Sequence, residues 1–426
     1  MNINLQRWID RWVGIPACAA VSAVEALAKR FRGADGEARI AKAQKAPRAI
    51  VVILLSEMGS LVLAHDMFAR LKQRFPDAPL HALMFGKNRE ILDLMQVMDP
   101  ANVHTVDDKS LGGLLSSLWR TMWELRRANV DVAIDCELFS RISSILSYAS
   151  GAVVRVGFHR HTQEGLYRGS HINRPIPYNP YKHISDQFMA LARAIDSDAI
   201  PKSKLPVTTL VKPPPMVQLP PALLAGIEAR LAQDFPQIAG KPLVLVYPGG
   251  GILPIRAWPL LSYTALCEGL VADGCAVAVI GLKDDQALAQ ELVANVQRSF
   301  PGSPVLDLTG YTRSISELLA LFHIARLLVT NDGGPGQFAA LTPIWTLMLF
   351  GPETPGLYAP VTPRCYSFYS RWPCSPCLTA YNHRSSYCDG DNQCLKVIQP
   401  ADVLAKSREC LQDGPGNPQA ATQAAH

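Results

Sequence analysis

The densest set of residues able to do chemistry lies at positions 326–354, RLLVTNDGGPGQFAALTPIWTLMLFGPET. An apolar run at 327–329 reads as a buried strand and ends in Thr330-Asn331-Asp332-Gly333-Gly334-Pro335-Gly336. A short helical pattern follows at 337–341, then a second apolar strand at 345–350. Glycines let a backbone approach a ligand closely, and a helix starting there aims unpaired N–H groups at an anion. In a parallel sheet such a turn lies at the carboxyl ends of the strands, where open α/β folds bind ligands. The same residue types also suit an ordinary strand-to-helix turn with an Asn or Asp cap.

Two further loops resemble it in kind. Glu57, Met58, Gly59 and Ser60 follow one apolar run and lead directly into a helical pattern. Tyr247-Pro248-Gly249-Gly250-Gly251 follows another and leads through Pro254, Arg256 and Trp258 into a helix. Three consecutive glycines are costly in backbone entropy, so they imply unusual dihedrals or close approach of a ligand. Neither loop matches a dinucleotide GxGxxG or a Walker A sequence. Arg256 can pair bidentately with phosphate oxygens, or it is an ordinary surface arginine.

A cysteine cluster forms the other constellation. Cys374, Cys377, Cys388 and Cys394 make C-x2-C-x10-C-x5-C, a spacing that suits a tetrahedral structural site for zinc or iron. Four unliganded thiols are the alternative. Tyr369, Arg371, Trp372, Tyr381, His383 and Arg384 surround the cluster, as acceptor contacts or as packing. His159, His161 and His183 are loop histidines by default and acceptor contacts as the alternative.

These residues need a scaffold, and periodicity supplies one. Apolar strands are expected at 49–56, 80–85, 103–106, 130–136 and 153–158, with helices at 61–75 and 111–128 between them. After a proline-rich stretch at 201–221, strands at 243–247 and 275–280 alternate with helices at 260–272, 286–300 and 316–325. Such alternation implies mostly parallel sheets covered on both faces. A chain of 426 residues exceeds one ordinary core, so two doubly wound domains are the economical architecture. The expected division is an extension at 1–48, a domain at 49–200, a linker at 201–240, a second domain at 241–400, and a terminal helix with a disordered tail at 401–426.

Charge is unevenly placed. Residues 1–48 hold nine Lys/Arg against four Asp/Glu, which accounts for the whole net +5. The balanced remainder argues against a nucleic-acid-binding body. No run of 18 apolar residues is present, and Asp10 and Glu25 spoil the 13–28 stretch as a signal core, so the body reads as cytoplasmic. Leu5, Trp8, Ile9, Trp12 and Val13 have helical spacing with Arg7 and Arg11 beside them. That pattern fits peripheral contact with the inner membrane, or a helix packed on the protein's own surface.

Four motifs in order make the second half similar to glycosyltransferase family 9, the heptosyltransferases of bacterial cell-surface glycan assembly. The family's PG-loop-P-x-[KR]-x-W-P is matched by Pro248, Gly249, Pro254, Arg256, Trp258 and Pro259. D-L-[TA]-G-x-T is matched from Asp307 through Thr309 to Thr312, and N-D-[ST]-G-x-x-H-x-A-A from Asn331 to Ala340. L-F-G-P-T-x-P appears as Leu349-Phe350-Gly351-Pro352-Glu353-Thr354-Pro355. The first half resembles the family more weakly, through Met58-Gly59 and Arg155-Val156-Gly157.

The resemblance implies a GT-B fold, two Rossmann-like domains facing a central cleft, inversion at the anomeric carbon and no metal required for catalysis. The first domain would hold an envelope-glycan or lipid-linked acceptor such as lipopolysaccharide core. The second would hold a nucleotide sugar, by analogy ADP-heptose, through Pro248, Gly249, Gly250, Arg256, Asp285, Thr309, Asn331, Asp332, Gly333, Gly334 and Gln337. Asp285 would lie at the ribose hydroxyls, although the neighbouring Asp284 makes a solvated helix start the competing reading. Two departures matter. The family's catalytic Asp of M-G-D is Ser60 here, and its His after the N-D turn is Gln337. Either Glu57 supplies the missing carboxylate, with Asp66 a weaker candidate, or the chain binds without transferring. Another nucleotide sugar, a protein acceptor and a nucleotide-sugar epimerase are the other readings.

Overall fold

The computed structural model describes residues 3–55, 57–138, 140–159, 167–197, 211–251, 253–380, 386, 388 and 391–413. Expectations concerning His161, Tyr381, His383, Arg384, positions 201–210 and the tail from 414 lie outside the described residues. The chain divides into two compact units, Met1–Lys212 and Pro213–His426.

The first unit runs α1 (Ile3–Trp12), α2 (Gly14–Lys45), β1 (Ile50–Ile53), α3 (Met58–Leu63), α4 (His65–Arg74), β2 (Leu80–Phe85), α5 (Arg89–Met95), β3 (Val103–Val106), α6 (Leu111–Arg127), β4 (Val132–Asp135), α7 (Arg141–Ala149), β5 (Val154–Phe158), β6 (Arg174–Ile176) and α8 (Ile184–Arg193). Its sheet has the order β3-β2-β1-β4-β5-β6, and every pairing is parallel. β1 is buried at all four positions because helices cover both faces, which is why it reads as unbroken Ile-Val-Val-Ile. Val51, Ile53 and Leu55 pack with Leu125 of α6 and Leu146 of α7, so α6 and α7 share one face.

The first 48 residues are part of this unit. α2 turns its polar side chains inward: Ser22 lies 3.3 Å from His171, and Glu25 pairs with Arg155 at 2.6 Å. Asp10 of α1 accepts the Arg141 backbone N–H at 2.8 Å and pairs with its guanidinium at 3.0 Å. Near its end, Gln44 donates to the Ile195 carbonyl at 2.6 Å. Where the sequence reading finds no spanning run, the helical stretch Trp8–Lys45 is long and apolar enough to cross a membrane by length and composition. Charged residues are spaced widely enough for a helical window to pass, although strict runs are short.

The second unit runs α9 (Pro221–Asp234), β7 (Leu243–Tyr247), α10 (Leu260–Ala272), β8 (Ala276–Gly281), α11 (Gln286–Ser299), β9 (Val305–Thr309), α12 (Ile315–Ile324), β10 (Leu327–Asn331), α13 (Gly334–Ala339), β11 (Trp345–Phe350), α14 (Pro355–Tyr358), β12 (Cys365–Tyr369), α15 (Gln393–Lys396) and α16 (Pro400–Gln412). Its parallel sheet has the order β12-β11-β10-β7-β8-β9. Positions 221–234, placed in a linker by the sequence reading, form α9, which buries Ile227 and Leu231 and packs on α12. α16 likewise packs on α10 through Val403 and Cys410.

Each sheet reverses its winding once, between β1 and β4 in the first unit and between β7 and β10 in the second. A crevice opens at such a switch point on the carboxyl side, because the flanking loops diverge to opposite faces. Glu57–Ser60 and Glu137 follow β1 and β4. Pro248–Gly251 and Asp332–Gly336 follow β7 and β10. The topology thus sets both groups of chemically equipped residues at ligand-binding positions.

Candidate functional site

In the second unit, Asn331 organises the switch point. Its side-chain amide donates to the Pro248 and Gly249 carbonyls at 3.0 Å each, and its Oδ1 accepts from the Trp258 N–H at 3.0 Å and the Tyr263 hydroxyl at 3.1 Å. It is fully buried, so it fixes the loop after β7 against the end of β10. The glycines of that loop serve the protein's own packing: a Cβ on Gly250 would lie 2.7 Å from the Leu253 carbonyl oxygen, and Gly251 has φ +59°. Beneath them Tyr247 has its phenol pushed up to about 12 by burial and then by Asp285, which keeps it neutral.

Arg256 sits where this loop meets the turn after β11. Its Nη2 donates to Glu353 Oε1 at 2.7 Å, and its Nε lies 3.6 Å from Asp332 Oδ2. Among the described residues Nε has no hydrogen-bond partner, although the guanidinium is only 15% exposed. Trp258, two residues on, is buried against Tyr263 and donates its indole N–H to the Ile398 carbonyl at 3.1 Å. The short segment is therefore anchored on both sides of a guanidinium whose Nε faces Asp332 without a hydrogen bond among the described residues.

The turn after β10 offers fewer amides than its length implies. Pro335 has none, and the Gln337 N–H points at the Gly333 carbonyl at 3.4 Å. The Gln337 side chain donates to the Tyr358 carbonyl at 2.6 Å, while its buried Oε1 has no partner among the described residues. Such an acceptor is costly unless a ligand or water meets it. Asp285 accepts the Leu282 N–H at 2.9 Å and closes the helix start, which fits the competing reading for that residue. Thr309 donates its hydroxyl to Asp307 at 2.6 Å.

In the first unit, Ser60 donates to Glu57 Oε2 at 2.7 Å, so the two residues singled out from the sequence meet in one hydrogen bond. Glu137 joins them at the same switch point, accepting the Leu55 N–H at 2.6 Å. Sequence reasoning missed Glu137, which follows β4 without a motif of its own, and gave no role to Glu353, although it lies within the Leu349–Pro355 motif. Buried Asp66 pairs with Arg70 at 3.5 Å and accepts the Lys212 N–H at 3.2 Å, which commits it to local structure. His183 caps α8 by accepting the Ser185 N–H, and the His159 ring lies 3.2 Å from the Gly169 carbonyl.

The four cysteines lie in one segment after β12. Burial raises the Cys394 thiol to about 11, and Cys377, Cys374 and Cys388 are the charges that raise it further. Four thiols are the right donors for zinc or iron, yet among the described residues no group of three or more His, Cys, Asp or Glu is placed to hold a metal ion. The Cys388 thiol donates to Asn392 Oδ1 at 3.3 Å, and Asn392 donates to the Ile255 carbonyl at 2.8 Å. Cys377 N–H donates to the Pro352 carbonyl at 2.9 Å. The cysteine segment thus braces the residues beside Arg256 and Glu353.

Residues 118–387 match the profile of glycosyltransferase family 9 (heptosyltransferase), well over half of the chain. The chain belongs to glycosyltransferase family 9. Among its relatives, lipooligosaccharide heptosyltransferase 2 of Haemophilus ducreyi is 25% identical over 74% of this chain and 86% of that protein. Lipopolysaccharide heptosyltransferase 2 of Salmonella typhimurium is 22% identical over 85% of this chain and 99% of its own length. In structure, E. coli ADP-heptose lps heptosyltransferase II superposes with a TM-score of 0.64 at 20% identity, over 85% of this chain and 98% of that one. A family 9 glycosyltransferase of Veillonella parvula superposes with a TM-score of 0.66 at 16% identity, over 87% and 98%. This family 9 chain is accordingly a glycosyltransferase with a two-domain GT-B fold.

Proposed function

We propose that this chain transfers a heptose from ADP-heptose to an envelope glycan such as lipopolysaccharide core, with inversion and without a metal at the reacting centre. The acceptor oxygen attacks the anomeric carbon, the bond to the diphosphate breaks on the opposite face, and Glu57 takes the acceptor proton. Ser60 orients that carboxylate through its hydroxyl. The diphosphate leaves with growing negative charge, which fixed donors stabilise best when they are already in place. The observation that carries this reading is Arg256: a nearly buried guanidinium beside the two glycine turns, held by Glu353, whose Nε faces Asp332 at 3.6 Å but makes no hydrogen bond among the described residues. The Gln337 Oε1, without a partner among the described residues, supports a hydroxyl-bearing ligand at the same edge.

The four cysteines are proposed as a structural zinc or iron set, supported by their spacing in the sequence, with no part in the chemistry. The reaction would take place on the cytoplasmic side of the inner membrane. Incubation with a panel of sugar nucleotides, with and without cell-envelope extract, tests the main reading. ADP release from ADP-heptose that rises with extract is expected. Preference for another nucleotide sugar, or release from none, overturns it.

A further inference from the structure

The amphipathicity of α2 is inverted. Its inward side carries Ser22 and Glu25, bonded to His171 and Arg155, while Val24, Leu27 and Phe31 point outward and Phe31 is 83% exposed. Trp8 and Trp12 of α1 are also exposed. α6 repeats the arrangement: Leu114, Leu118, Met122 and Leu125 pack on the sheet, while Leu115, Trp119 and Trp123 face outward, with Trp119 80% exposed. α7, which packs on α1 and α2 and shares a sheet face with α6, adds exposed Ile142. Exposed apolar side chains occur singly on most soluble proteins, but stripes on several helices covering one sheet face call for a partner.

Charge identifies that partner. Arg11, Lys29, Arg30, Arg120 and Arg127 accompany these stripes, and Arg127 lies 4.2 Å over the Trp123 ring. Most acids on the same helices are paired, Asp10 with Arg141, Glu25 with Arg155 and Glu124 with His104, while Asp35 and Glu37 lie exposed past the kink of α2. Around the kink at Gly33, Lys29, Arg32 and Arg39 line a cleft of about 410 Å³, with Glu25 and Glu37 on its wall. We infer that the outer face of α1, α2 and α6 is a docking surface for an anionic lipid bilayer, on which these helices lie flat. Tryptophan, aliphatic and basic side chains on one face are the composition of an interfacial helix. A second copy of this chain would set arginines against arginines across a two-fold axis. Spanning would require α2 to break the buried Glu25–Arg155 pair.

α6 starts at the carboxyl edge of the sheet, where the Glu57 loop also lies, so the apolar stripe begins beside the proposed acceptor side of the unit. Only this last link rests on the proposed function. The surface itself is carried by exposure and charge.

The test is co-sedimentation of the full-length protein with vesicles of phosphatidylethanolamine and phosphatidylglycerol (3:1) or of phosphatidylcholine. Binding to the anionic vesicles alone, weakened by 0.5 M salt and reversed by a carbonate wash, is expected. Trp119→Ala/Trp123→Ala and Leu27→Ser/Phe31→Ser should each reduce partitioning by about tenfold. ADP affinity and melting temperature should remain those of the parent, which separates failure of the surface from failure of the nucleotide site. Equal binding to phosphatidylcholine, or variants that sediment like the parent, overturns the inference. Retention after carbonate means a spanning helix, and a dimer dissolved by the same substitutions means a second copy; either outcome also overturns it.

Discussion

Replacing Arg256 with alanine should produce two separable losses. If the diphosphate binds at Nε, which makes no hydrogen bond among the described residues, truncation removes a charge-assisted hydrogen bond worth about 1.5–3 kcal/mol. ADP should then bind roughly 10- to 150-fold more weakly. The second loss is in stability. Glu353 is buried and pairs with Arg256 at 2.7 Å, so removing the cation from this buried pair should cost roughly 3–5 kcal/mol. Arg256→Ala/Glu353→Gln removes one of the two carboxylates that lose their cation, Asp332 being the other, so it should recover part of the stability and none of the ADP affinity. Titration calorimetry with ADP and urea unfolding of the three proteins measure the two effects independently. A folded Arg256→Ala protein that binds ADP as tightly as the parent would refute the assignment of the phosphate site. Equal unfolding of the single and double variants would refute the electrostatic role of Glu353.

Further outcomes follow from the other clusters. Glu57→Gln should lower turnover by about 10²–10⁴-fold at unchanged ADP affinity, as expected for loss of a general base; unchanged turnover removes it from that role. Ser60→Ala removes the hydroxyl that stabilises the charged carboxylate, so the acid limb of the kcat profile should move to higher pH; a limb that stays in place excludes Glu57 as the titrating group. Burial holds both His171 and His81 down to about 4, with His104 adding to the effect on His81. Their folded values lie below the ordinary 6.5, so their stabilising contribution is complete above pH 6.5 and is lost as pH falls towards 4. Each should add a slope of about 1.4 kcal/mol per pH unit in that window. Urea unfolding at several pH values should show the slope fall by about one proton in His171→Gln; an unaltered slope would show that His171 stays protonated in the fold. Elemental analysis should find one equivalent of zinc or iron in the parent and none in Cys374→Ser/Cys377→Ser, and less than a tenth in the parent would reject the metal.

Much of the scaffold was written locally. Unbroken apolar runs such as 243–247 and 327–329 can be buried only as interior strands of a parallel sheet, and the helical spacing between them requires crossovers. The four motifs of the second half, in order, identified the family because each sets glycine beside charged or aromatic residues, three of them with proline as well, in combinations that no single element needs. Short or marginal elements escaped this reading: β6, with arginine and proline in three residues, and β12, only partly buried, lack a distinct apolar period.

The sequence also named Glu57, Ser60 and Arg256, but their relationships came from the fold. Ser60 meets Glu57 because one helical turn brings them together, whereas Glu137 reaches the same crevice from a strand some eighty positions away. Asn331 carried a motif position suited to a ligand, and only packing revealed that its amide holds the loop after β7. Sequence by itself determined the alternation of elements and the chemistry available at their ends, since both depend on neighbours along the chain. Tertiary structure decided which ends share a switch point, which charges compensate one another and which way α2 faces, because those depend on strand order and on contacts between residues that are remote in sequence.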